Sequence, residues 1–307
     1  MKSLLLCLLV AGLSAVSAPA AAQSPWRTAR VHKAVVVGGS ISMYYAGNFG
    51  QYLHFGCRDL EVLNRGKVGA GGAALGRLLQ ESVIGDQALM AGMTKGKAWV
   101  LFQGGLNSVA RPESTAAWLA KLFRTAHTAG LAVVGLTLTP WGKDGDARFA
   151  GWDGVRLHRA TEHVSRFILG RLTPKEALGP RAKDRPKEFG EAWAQGELPV
   201  LGIDLLHSSL QAGASAPLRP SGPLEATFAA SAYAKQGGDK ERWLAEARSV
   251  PQRFMANQYH DFDHIHPNGA GHRLIAALVC QEAPAGWGCD CDAIRRARWK
   301  GKVVAGP

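Results

Sequence analysis

Beyond its N-terminus, this 307-residue chain has no stretch long and apolar enough to cross a bilayer, which takes about 20 such residues. No internal repeat is visible, which argues against a solenoid or a propeller. Acidic residues are few, with 24 Asp and Glu against 36 Lys and Arg, and the formal net charge is +12. No nucleic-acid-binding motif accompanies that charge, so no nucleic-acid partner is expected. The basic residues are spread out, with some clustering at 175–187 and 295–302. They suit anionic surfaces such as envelope polymers, or simply a solvated basic surface. Cysteine is scarce, at five residues. What is present is ordinary and globular: 47% hydrophobic and 20% charged residues, enough for a large core that folds without staples.

The N-terminus reads as a secretory signal peptide over 1–22. Lys2 precedes an apolar run over 4–13, and small residues follow, ending Ala20-Ala21-Ala22 before Gln23. A buried N-terminal helix is the alternative. Cys7 sits within the apolar run, too early for a lipoprotein anchor. The expected location is secreted or periplasmic. Four cysteines follow the leader: Cys57, Cys280, Cys289 and Cys291. In an oxidising compartment they favour two disulfides over metal ligation. Cys289 and Cys291 make a poor pair with each other, because the ring would be strained. Cys280 is thus expected to bond one of them and Cys57 the other, with the connectivity open.

Apolar runs alternate with helical patterns, as a parallel sheet with crossover helices requires. Strands are expected over 31–37, 60–63, 98–103, 131–138 and 198–203. Helices are expected over 73–89, 114–129 and 155–169, with a last helix after Pro267-Asn268 carrying Leu274, Ile275, Leu278 and Val279. One domain over 23–307 is expected, with insertions near 173–195 and 207–256 and a cysteine-containing tail over 283–307. The second insertion holds candidate helices at 224–235 and 240–247.

Four short blocks stand at or after the apolar runs, in fixed order. They are Gly38-Gly39-Ser40-Ile41-Ser42, Asn64-Arg65-Gly66-Lys67-Val68-Gly69, Gly105-Leu106-Asn107, and Asp263-His264-Ile265-His266-Pro267. Together they supply a nucleophile, oxyanion donors, a base and a carboxylate to orient the base. Read singly, Ser40 is a helix N-cap, Gly69 a loop glycine and Asn107 a turn asparagine. No Gly-x-Ser-x-Gly elbow surrounds Ser40. Histidines and carboxylates crowd 260–272, a density that can mark zinc or iron, but no His-Glu-x-x-His pair occurs. No metal or cofactor is expected.

In this order and spacing the chain resembles the SGNH hydrolases, also called GDSL-type esterases and lipases, over roughly residues 33–282. The resemblance implies a three-layer α/β/α sandwich with a five-stranded parallel sheet of order 2-1-3-4-5. It implies Ser40 as nucleophile, Asp263 and His266 as its catalytic partners, and an oxyanion hole of Ser40, Gly69 and Asn107, with Gly66 as the fallback donor. Two positions depart from the family pattern: Gly39 stands where Asp is usual, and Ser108 follows Asn107 where Asp is usual. The implied activity is hydrolysis of a carboxylic ester through an acyl-enzyme on Ser40. An acyltransferase using the same intermediate, and a catalytically silent glycan-binding module, are the alternatives. The flanks of the blocks are polar at Asn48, Gln51, Arg65, Lys67, Ser108 and Arg111, with Tyr44, Tyr45 and Trp141 available to stack on sugar rings. A short acyl or O-acetyl ester of a small molecule or glycan is therefore the expected substrate.

Overall fold

Five runs of β-branched and apolar residues assemble into one parallel sheet. They are β1 (His32–Gly38), β2 (Leu60–Asn64), β3 (Ala98–Gln103), β4 (Ala132–Leu136) and β5 (Leu201–Ile203). The computed structural model describes residues 24–143, 146–212 and 221–306. The signal peptide expected over 1–22 and much of the Gly/Ser/Pro-rich part of the second insertion lie outside them. Strand order is β2-β1-β3-β4-β5, all parallel, as expected. Neighbouring residues alternate between faces. Val35, Val37, Val100 and Phe102 pack on one side, and Ala34, Val36, Leu101 and Leu136 on the other. Both faces are covered, which is why the strands read as unbroken apolar runs.

The helices in chain order are α1 (Ser40–Met43), α2 (Phe49–Gly56), α3 (Ala73–Leu79), α4 (Gln87–Ala91), α5 (Pro112–Thr128), α6 (Ala147–Ala150), α7 (Trp152–Ile168), α8 (Pro174–Leu178), α9 (Ser221–Phe228), α10 (Ala232–Lys235), α11 (Lys240–Arg248), α12 (Gly269–Glu282) and α13 (Cys291–Arg296). A short ribbon, β6 (Arg298–Trp299) and β7 (Val303–Val304), ends the chain. Helices α3, α5 and α7 cover one face through Leu79, Phe123 and Phe167. Helices α2, α12 and α13 cover the other through Leu53, Ile275 and Ile294.

Several elements differ from expectation. The helix expected over 73–89 is broken: α3 passes into a π-helical turn over Gln80–Ile84, and Asp86 restarts the chain as α4 by accepting from Leu89 N at 3.0 Å. The candidate helix at 224–235 is two, α9 and α10. Helix α2 was not anticipated, since its two glycines hide it. Asn48 and Gln51 start it with a capping box. Strand β4 is shorter than expected; just beyond it, Thr137 Oγ1 accepts from Leu205 and Leu206 N at 2.8 and 3.1 Å.

β2 is an edge strand, and side chains close its free edge. Arg30 Nη1 donates to the carbonyls of His54, Cys57 and Leu60 at 2.5, 3.1 and 2.7 Å. Val62 N donates to His54 Nδ1 at 3.2 Å. That bond requires a neutral imidazole; burial and nearby Arg30 lower the His54 pKa. Glu61 is buried and pairs with Lys33 Nζ at 2.5 Å, while accepting from the N–H groups of Arg27 and Thr28. The disulfides are Cys57–Cys289 and Cys280–Cys291, so the tail is fastened to the end of α2 and to α12.

Candidate active site

The carboxyl end of a strand beside a reversal of strand order is where open parallel sheets hold ligands. β1 ends there at Gly38, with β2 on one side and β3 on the other. Any side chain at Gly38 would collide with the Gln103 carbonyl and Ser42 Oγ, so only glycine fits. Gly39 N and Ser42 Oγ both donate to Gln103 O, at 3.3 and 3.0 Å. Lys67 N donates to Gly38 O at 2.9 Å, and Asn64 Nδ2 to Ser42 O at 2.6 Å. These bonds fix the turn that carries Ser40 at the first position of α1. They brace it with glycine, not a carboxylate side chain, at position 39.

The loop over 258–268 brings the histidine. Asn268 caps α12 by accepting from Ala270 and Gly271 N at 2.9 and 3.0 Å. Its amide reaches back to the carbonyls of Gln258 and His260 at 3.0 and 3.1 Å, closing the loop. His264 takes φ +62°, a turn conformation uncommon outside glycine. Asp263 Oδ1 accepts from the N–H groups of Ile265 and His266 at 2.9 and 3.0 Å. Its Oδ2 lies 2.5 Å from His266 Nδ1, and His266 Nε2 lies 2.7 Å from Ser40 Oγ. Burial opposes ionisation of Asp263. The two backbone donors, the imidazole hydrogen bond and the imidazole charge outweigh it and hold the carboxyl below its ordinary pKa. An ionised Asp263 places the proton on Nδ1, which leaves the Nε2 lone pair to accept from the serine hydroxyl.

Asn107 sits on a single 3₁₀ turn after β3 and donates to Ala70 O at 3.0 Å, leaving its second amide proton. A Cβ at Gly39 would stand 3.2 Å from both Asn107 Nδ2 and Ala70 O, so Asn107 lies against the residue preceding Ser40. Gly66 N is taken by Asn64 Oδ1 at 2.7 Å. Gly69, at φ +74° and exposed, has no hydrogen-bond acceptor for its N–H among the described residues, and neither has Ser40 N. Ser108 joins these segments: its Oγ accepts from Gly72 N at 3.0 Å and donates to Gly105 O at 3.1 Å.

Around this centre the structure adds what spacing could not reveal. Tyr44 Oη donates to Asp261 Oδ2 at 3.2 Å, tying the Ser40 turn to the histidine loop across 217 residues. Burial first, then the Asp261 charge, pushes the Tyr44 pKa up to about 12, so it stays a donor. Its ring stacks on His272, whose centroid is 4.7 Å away. His272 is fully buried with no hydrogen-bond partner at either nitrogen among the described residues, and burial lowers its pKa to about 3. His260 and His264 face each other with Nδ1 atoms 3.0 Å apart. Among the described residues no three His, Cys, Asp or Glu side chains are placed to hold a metal ion.

Two expectations about the rim need correction. Trp141 is 5% exposed and stacks on His158 at 4.1 Å, so it offers no face to a sugar. The rim is also less polar than its sequence suggested, because Met43, Tyr45, Val68 and Phe262 are all exposed. Exposure of a loop side chain depends on how the loop is folded, which periodicity does not report.

No protein-family model and no curated protein matches the chain. Solved structures do match. The chain is similar to GDSL-like lipases and acylhydrolases. A putative acylhydrolase from Bacteroides fragilis is 14% identical, with 84% of this chain and 88% of that one covered, at a TM-score of 0.46. A GDSL-like lipase from Bacteroides thetaiotaomicron is 15% identical, with 83% and 89% covered, at 0.45. An acetylxylan esterase from Geobacillus stearothermophilus is 13% identical, with 88% and 97% covered, at 0.44. Likeness at this level carries no weight for chemistry, which rests on the side chains above.

Proposed function

We propose that this protein is an exported serine esterase that hydrolyses a carboxylic ester, with a short acyl or O-acetyl group on a glycan as its preferred substrate. The observation that carries this reading is the continuous hydrogen-bond chain from Asp263 through His266 to Ser40. In the proposed reaction Ser40 Oγ attacks the ester carbonyl while His266 Nε2 takes its proton. The carbonyl oxygen becomes an oxyanion, met by the N–H groups of Ser40 and Gly69 and by the second amide proton of Asn107. His266 then protonates the leaving alcohol, and the acyl group stays on Ser40. Water, deprotonated by His266, attacks the acyl-enzyme; the Ser40 Oγ–acyl bond breaks, His266 returns the proton to Ser40 Oγ, and the carboxylic acid leaves. Asp263 holds the imidazole tautomer and stabilises the imidazolium in both halves.

The exposed rings of Tyr45 and Phe262 offer flat apolar faces at the rim, which suits sugar rings beside a small acyl group. Two disulfides fit the oxidising compartment that export implies. A fluorophosphonate probe should label Ser40 in the native protein. Ser40→Ala and His266→Ala should abolish labelling and hydrolysis while leaving the circular dichroism spectrum unchanged. Acetyl esters should turn over faster than long-chain ones, and acetate should be released from acetylated polysaccharide. Full activity in Ser40→Ala would sink the mechanism. A long-chain preference without acetate release would sink the substrate.

A further inference from the structure

A groove of about 620 Å³ runs along the β2 edge of the sheet, bordered by α2, the C-terminal ribbon and the segment before β1. Neither Ser40 nor His266 lines it. Three cations do: Arg27, Arg30 and Lys302. Glu61 is the one carboxylate among its lining residues; it is 2% exposed and already paired with Lys33. Arg30 Nη1 is hydrogen-bonded to carbonyl oxygens, which hold the guanidinium in place but do not neutralise its charge. Arg27 and Lys302 are exposed and have no acidic partner among the described residues. The groove therefore carries excess positive charge.

Its apolar lining joins two aromatic rings to Val62, Leu63 and Val303. Phe55 is 37% exposed, and Trp299 is held against Gly47, where a Cβ would meet the indole at 2.9 Å. Flat rings beside cations and the Gln51 amide match one ligand chemistry: the C–H faces of sugars, their hydroxyls and a repeating anionic group.

We propose that this groove is a binding site for an acidic polysaccharide, distinct from the catalytic centre. Its position has a functional side. Leu63 lines the groove, and the next residue, Asn64, donates to the carbonyl of Ser42, two residues from Ser40. A chain bound there is thereby held close to the nucleophile. Binding itself does not depend on the esterase reading; only its coupling to turnover does.

The test is affinity electrophoresis of the purified protein at about 0.15 M ionic strength, where screening suppresses diffuse surface attraction. The probes are polygalacturonate, dextran sulfate, neutral dextran and a single-stranded oligonucleotide. Either acidic polysaccharide should retard the protein and neutral dextran should not; which of the two binds more tightly tells carboxylate from sulfate. Trp299→Ala should weaken the interaction by about tenfold, as should the double variant Arg27→Gln with Lys302→Gln. Trp299→Phe, which keeps a ring and the ribbon packing, should retain most of it. Hydrolysis of a small soluble ester should be unchanged in all three. Unaltered retardation in both the Trp299→Ala and the double variant would overturn the site. So would equal binding of neutral dextran, or tighter binding of the oligonucleotide with the same dependence on these residues.

Discussion

The hydrogen-bond chain Asp263–His266–Ser40 joins residues that the sequence singles out by type and order, since the roles proposed for them call for a carboxylate, an imidazole and a hydroxyl. The choice between Gly66 and Gly69 was not legible there, since it depends on which N–H group the loop leaves free. Asn64 Oδ1 accepts from Gly66 N, and Gly69 N has no such partner among the described residues. The Tyr44–Asp261 contact was equally hidden, because no spacing rule joins residues so far apart. The same scale carries a prediction about Asn107. Asn107→Ala should lower kcat by about 10²–10³ with little change in KM, because in the proposed reaction the amide acts on charge that develops only in the transition state. Steady-state kinetics on a soluble acetyl ester would check it; an effect confined to KM would reassign Asn107 to substrate binding.

At the scale of elements, strands were read better than helices. β1 and β3 are buried on both faces, so their apolar runs stop where the strands stop. Helix α2 and the break between α3 and α4 escaped because caps and glycines, not periodicity, decide them. The inward turn of Trp141 was likewise invisible, since Thr161 on α7 accepts its indole proton at 3.0 Å only once the helix has docked. The edge strand gives the element-scale prediction. Glu61→Gln leaves the Lys33 ammonium buried without its counter-charge. The loss should be about 3–5 kcal/mol in urea unfolding, with the Asp263–His266–Ser40 arrangement unaltered in the protein that remains folded. A change below about 1 kcal/mol would mean that water reaches this pair and screens it.

For the whole molecule, acid should act in two stages. His54 and His272 have lowered pKa values in the folded state, His272 down to about 3. Between that value and the ordinary 6.5 the unfolded chain binds more protons than the folded one. Their contribution is thus complete above about pH 6.5 and declines as the pH falls toward 3. Glu61, held down to about 2 despite burial by Lys33 and its backbone donors, contributes fully above its ordinary 4.5 and loses that contribution as the pH falls toward 2. Thermal midpoints should hold steady near neutrality, fall below pH 6.5, and fall more steeply below 4.5. His272→Phe should flatten the first decline; an unchanged slope would remove His272 from it. The Cys57–Cys289 bond spans 232 residues and encloses Gly69, Asn107, Asp263 and His266, but not Ser40. A protease that nicks one peptide bond inside this ring therefore leaves one covalent molecule. A single cut between Ser40 and Cys57 instead separates Ser40 from Asp263 and His266, leaving only non-covalent contacts to keep the two pieces together.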